Sequence, residues 1–206
     1  EQKPKQDKPP LFSEEPISRP GSANAAPKDD MARALAKLSE GKAEEAMAML
    51  EKIHRERSQR LAKDHPETRA ALFQLGRACR IAGKLNEALA CFEQLIVLGR
   101  EPPGAPEIEV MRVRSELGRT CQGLGKHDDA RRLFEEALAI QKRVLPPGHP
   151  DTLASMNDLA VSYAAMNRQA EALKLNEEAL AIQKRVLPKD HPDTLMSMGA
   201  LADSLI

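Results

Sequence analysis

The chain carries five histidines, three cysteines and recurring paired carboxylates. These could serve as general bases, as nucleophiles or metal ligands, and as acid–base pairs. Their spacing argues against all three uses. His65, His149 and His191 each open an HPET or HPDT element, and 149 and 191 are 42 residues apart, with 65 two such steps before 149. A catalytic base is needed once, whereas a helix cap is needed once per helix, so these histidines read as structural. His54 lies on a charged helix face, and His127 follows Lys126 at a helix start; neither has a partner that the sequence identifies. Glu135–Glu136 return as Glu177–Glu178 and read as the solvated face of a helix. No phosphate-cradling glycine loop, GxSxG elbow or HExxH pair is present. Cys79, Cys91 and Cys121 are odd in number and form no CxxC, which argues against zinc or a disulfide framework and for a reducing, cytoplasmic setting. Cys79 and Cys121 stand one 42-residue step apart and read as packing residues. The expectation is a non-enzyme without metal or cofactor.

The elements that hold these residues repeat. Glu135–Pro146 reads EEALAIQKRVLP, and the same letters return at Glu177–Pro188, a shift of 42 residues. Self-similarity at such a period marks a stacked repeat array. Other columns carry it further back: Ala46, Ala88, Ala130 and Ala172; the small residues Ala34, Gly76, Gly118, Ala160 and Ala202; and the turn residues Gly41, Gly83, Gly125 and Asn167. Four full units and the first helix of a fifth are expected over 29–206. Within a unit, Leu153, Met156, Leu159, Ala160 and Tyr163 share one helical face, and a second amphipathic run follows Asn167. Each unit is therefore two antiparallel helices. Pro150 and Pro192 suit a first helical turn, and Pro146, Pro147 and Pro188 end the helix before. The small columns fall where the two helices cross.

Residues 1–28 are rich in Pro, Ser, Lys and Glu and read as a disordered linker, with a docking motif around Leu11–Phe12 as the functional alternative. Lys and Arg total 31 against 31 Asp and Glu, so no global field attracts nucleic acid. No apolar run approaches the ~18 residues a membrane span needs.

The columns Leu–small, Gly or Asn, then Ala, with HPDTL and EEALAIQKRVL at a 42-residue period, resemble the tetratricopeptide repeat of the kinesin light chain type. The likeness covers residues 30 to 206. It departs at Glu107–Val110, where EIEV replaces HPDT, and at Asn176, where that family favours an aromatic such as Phe92 and Phe134. The resemblance implies an all-α, right-handed superhelical solenoid whose inner wall, made by the first helix of each pair, holds a partner peptide.

Read by column, that wall carries Arg77 and Arg119, Arg80 and Gln122, Arg112, and Gln74, Ser115 and Asn157. Segregated arginine suits carboxylates. The expected peptide-binding set is Arg77, Arg80, Arg112, Arg119, Gln122 and Asn157, with the arginines on acidic groups. By family likeness, Asn157 holds peptide backbone. The expected function is a non-catalytic interaction module for a protein or peptide partner with acidic residues, with neither nucleic acid nor membrane as partner. The alternative is the docking region of a larger signalling enzyme, a kinase or switch ATPase, outside this chain. Leu195, Met198, Leu201, Ala202 and Leu205 form an apolar face with no second helix following in the sequence, so the expectation is either that the natural chain continues with at least one more helix or that the 191–206 end self-associates with a second copy.

Overall fold

A computed structural model describes residues 26–98 and 107–186, together with 188, 194 and 198. Eight helices fill it: α1 (Ala26–Ser39), α2 (Ala43–Arg60), α3 (Pro66–Ile81), α4 (Leu85–Leu98), α5 (Glu107–Gly123), α6 (His127–Val144), α7 (Pro150–Ala165) and α8 (Gln169–Val186). They form four helix pairs, and each helix packs chiefly on its neighbours in sequence. No strand occurs among the described residues, and the fold is an all-α repeat solenoid. The Leu11–Phe12 segment and most of 191–206 lie outside the described residues. Of the latter, Thr194 is buried and Met198 is exposed. Helix α1 opens at Ala26, inside the stretch expected as linker. Pro27 stands in its first turn, where a missing N–H costs nothing.

The turn inside each pair has one construction. The Lys42 N–H donates to the Lys37 carbonyl (2.9 Å), and Lys84 to Cys79 (2.8 Å), Lys126 to Cys121 (2.9 Å) and Arg168 to Tyr163 (2.9 Å) repeat it. This six-to-one bond needs a left-handed residue just before its donor. Gly41, Gly83 and Gly125 supply it in the first three units, and Asn167 does so in the fourth with φ 57°. Asparagine tolerates that region better than other side chains. At the opposite end, His65 and His149 are helix caps, as expected. Their Nδ1 atoms accept from the backbone N–H of Glu67 (3.2 Å) and Asp151 (3.1 Å), with Pro66 and Pro150 in the first helical turn.

Pairs close through a notch. A Cβ on Gly76 would come within 2.8 Å of Phe92 Cζ, and one on Gly118 within 2.7 Å of Phe134 Cε1. Both rings are fully buried. In the first and last units the notch position is Ala34 or Ala160, and the residue at the ring's place is Leu50 or Asn176. Glycine therefore accompanies phenylalanine, and alanine accompanies a smaller side chain. Ala88, Ala130 and Ala172 are buried at the reciprocal crossing.

Neighbouring first helices touch, α1 with α3, α3 with α5 and α5 with α7, whereas no two second helices do among the described residues. The stack therefore curves with α1, α3, α5 and α7 on its inner side. One pair of variants tests the notch. Gly118→Ala should destabilise the protein by about 1–2 kcal/mol in urea melts, overpacking exceeding a helix-propensity gain of under ~1 kcal/mol. In a Phe134→Leu background the same change should stabilise. The same sign in both backgrounds would rule the notch out as the cause.

Candidate functional site

The inner wall holds a cavity of about 380 Å³. Helix α3 contributes Phe73, Gln74 and Arg77, and α5 contributes Met111, Arg112, Ser115, Glu116 and Arg119. Helix α7 adds Asp151 and Ser155, while Gln141 reaches in from α6. Phe73 packs edge-on against Phe92 with ring centroids 5.9 Å apart, which ties this wall to the notch behind it.

Three of the four expected arginines are already engaged. Arg80 Nε donates to Glu116 Oε2 (2.9 Å), and Arg119 donates to Glu116 Oε1 (2.9 Å) and Asp158 Oδ2 (2.8 Å). Arg77 donates to Gln74 Oε1 (3.1 Å), and its Nε stands 3.9 Å from Glu116. These three arginines, expected to meet acidic groups of a partner, are thus held by side chains of this chain. Arg80 of the second unit reaches Glu116 of the third, Arg119 of the third reaches Asp158 of the fourth, and the Glu116 side chain is only 10% exposed. Burial works against the Arg119 guanidinium, but the facing Asp158 and Glu116 carboxylates outweigh it, and its pKa is raised. For Asp158, burial is the larger influence and pushes its carboxyl up, with Arg119 opposing. We read the 2.8 Å contact between them as an intact ion pair at neutral pH.

Arg112 differs: it is exposed and has no ion pair or hydrogen bond among the described residues. The structure therefore gathers Arg77, Arg112 and Arg119 around the cavity, with Arg80 joined to them through Glu116. It leaves out two expected residues. Gln122 lies off the cavity, half-buried, with a buried Nε2 that finds no acceptor among the described residues. Asn157 is exposed on α7, also off the cavity lining.

Beneath the arginines lies a polar floor that column reading did not single out. Gln141 is 1% exposed; its Nε2 donates to Ser155 Oγ (2.9 Å), and its Oε1 has no hydrogen-bond partner among the described residues. Ser155 Oγ is 3.4 Å from Ser115 Oγ. The signal was available: Gln141 and Gln183 are the uncharged polar residues inside the repeated AIQKRVL run, and both are buried. Glu116 and Asp158 were also visible as a column, 42 residues apart and in step with Gln74.

Other candidates resolve as structure. Cys79 and Cys121 are buried in the core, as expected, and all three cysteines are free. The Cys91 thiol and burial push the Cys79 thiol up, and burial pushes Cys121 up, the opposite of an activated nucleophile. The His54 ring sits 3.3 Å from Ser58 Oγ on one helix, and burial lowers its pKa. No carboxylate hydrogen-bonds that ring among the described residues. Glu135 is not simply solvated, a second correction: it accepts from the Tyr163 hydroxyl (2.8 Å) and from Arg131 (2.8 Å), binding two units together. Among the described residues no group of three or more His, Cys, Asp or Glu side chains could hold a metal ion. No described helix is long and apolar enough to cross a membrane.

The sequence matches the tetratricopeptide repeat family model over residues 30–96 and 109–185. It is similar to a putative kinesin light chain from Podosopora anserina with nearly identical TPR-like repeats. Two crystal structures of that protein align at TM-scores of 0.76 and 0.75, with 30% identity over 86% of this chain and 84% of that one. BtubC (BKLC) from P. vanneervenii shares the fold at a TM-score of 0.72 and 20% identity, over 86% of this chain and 72% of that one. So does the apo form of RapI at 0.72 and 12%, over 86% and 62%. No curated protein matches the sequence.

Glu116 should carry measurable stability. Glu116→Gln should lower the unfolding free energy by about 1–3 kcal/mol, because Arg80 and Arg119 lose a charged acceptor with two oxygens and Arg77 loses a nearby negative charge. Glu136→Gln, which removes the exposed pair with Arg114, should cost less than ~1 kcal/mol. Equal losses in urea titrations would show that the Glu116 cluster is no more than another surface pair.

Proposed function

The chain belongs to the tetratricopeptide repeat family, in its kinesin light chain-like form, and from that premise we propose that it holds an extended, acidic peptide segment of a protein partner against its inner wall. Repeats of this kind are interaction scaffolds, and catalysis is no part of the reading. The cavity across α3, α5 and α7 is the observation that carries it. A stack of convex pairs has no need of a polar hollow there, and an extended chain laid along the wall can fill one. Arg112 is the lead contact for an acidic side chain, since it is exposed and uncommitted among the described residues. Arg77, Arg80 and Arg119 shape the hollow and set its local potential. Gln122 and Asn157 flank it as hydrogen-bonding groups for peptide backbone. Three free cysteines fit action in a reducing, cytoplasmic compartment.

An acidic peptide selected from a random library against the whole chain provides the probe. Arg112→Glu should weaken its binding by about tenfold or more in a labelled-peptide titration, with unchanged helical circular dichroism. Binding should also weaken with added salt, because an exposed charge pair is screened. Undiminished affinity in that folded variant would remove Arg112 as the lead contact, and undiminished affinity across variants of the whole lining would remove the inner wall as the binding surface.

A further inference from the structure

Binding of an acidic peptide on the inner wall leaves open how many acidic residues the wall accepts, and a narrower specificity rests on that proposed function. The geometry points to a groove built to accept one carboxylate, seated by Arg112 and the Ser115 hydroxyl, with Glu116 and Asp158 as internal carboxylates that exclude polyacidic segments.

Arginine capacity is the first argument. A guanidinium recognises a carboxylate through a fork of N–H donors. On this wall Glu116 takes donors from Arg80 and Arg119, and Asp158 takes a further one from Arg119. The two carboxylates thus stand where acidic ligand side chains would otherwise bind. Four arginines (77, 80, 112 and 119) face three carboxylates (Glu116, Asp151 and Asp158), which leaves a surplus of one positive charge. Arg112 is the one arginine of the four with no partner among the described residues, and Asp151 the one carboxylate of the three with no arginine partner there. A second ligand carboxylate would have to displace Glu116 or Asp158, and would leave the displaced one unpaired beside it.

The floor supplies the second argument. Gln141 donates to Ser155 Oγ, and Ser155 and Ser115 Oγ stand 3.4 Å apart with either able to donate. Where Ser155 donates to Ser115, the Ser115 proton is left for the cavity, on the helix that carries Arg112. An acceptor fits there, and a carboxylate takes both donors. Gln141 Oε1, in a side chain 1% exposed at the cavity floor, is an acceptor still without a donor among the described residues. An acidic residue within a peptide brings a carboxylate and, through its main chain, the N–H that Gln141 lacks.

The test is selection of a random peptide library on the full chain and on three variants: Arg112→Gln, Glu116→Gln and Asp158→Asn. Wild type should retain peptides with one acidic residue at a fixed position and uncharged neighbours. Changing that residue to its amide, or Arg112 to Gln, should weaken binding about tenfold. Glu116→Gln or Asp158→Asn, whichever keeps native circular dichroism, should now retain polyacidic peptides. Polyacidic peptides already retained by wild type, or affinity indifferent to Arg112→Gln, would overturn the single seat and leave the groove reading standing. If no retained peptide is lost on mutating the inner wall, both readings fall.

Discussion

The close approach of the two helices in a pair is the constraint on which the rest of the structure depends. At Gly76 and Gly118 there is no room for even a methyl group, because the buried rings of Phe92 and Phe134 already occupy it. Removing the Cβ sets the interhelical distance, and the ring fills what is left. With that distance fixed, each unit presents nearly the same shape to the next, and stacking produces curvature. First helices meet one another on the inner side, while no second helices meet among the described residues. The hollow on the inner wall is a consequence of this curvature, and Phe73, packed on Phe92, belongs to both.

Much of the fold was legible because the interactions that define it are local. A left-handed turn residue, a proline at a helix start and a small residue at a crossing each leave a letter at a fixed position, and the period multiplies the signal. The site was less legible for a physical reason. Columns compare a residue with its equivalent 42 positions on, but Arg80 meets Glu116, 36 positions on, and Arg119 meets Asp158, 39 positions on. Packing between units shifts contacts three or six residues short of the period. Reading by column therefore found the arginines and missed their partners. The same limit explains Glu135, whose bond to Tyr163 spans 28 residues. The Gly–Phe correlation was within reach of the sequence, since both columns were visible there, but its cause needed the 2.7 Å approach.

One wall is asked to do two things, and the energies say how they divide. Arg77, Arg80 and Arg119 bind units to one another, so a ligand that recruits Arg119 must first break bonds of 2.8 and 2.9 Å to partly buried carboxylates. Hydrogen bonds to charged groups contribute about 1.5–3 kcal/mol each, and losing one weakens binding by a factor of roughly 10 to 150. A ligand that engages Arg112 incurs no such cost and leaves the ladder between units intact. Recognition and stacking are thereby separated on a single surface. Under the proposed function Arg112 faces the partner, and the three engaged arginines hold the wall in the shape the partner would meet. Ligand binding through Arg112 leaves the curvature as it is, whereas any partner that did capture Arg119 would loosen the seam between α5 and α7 as it bound.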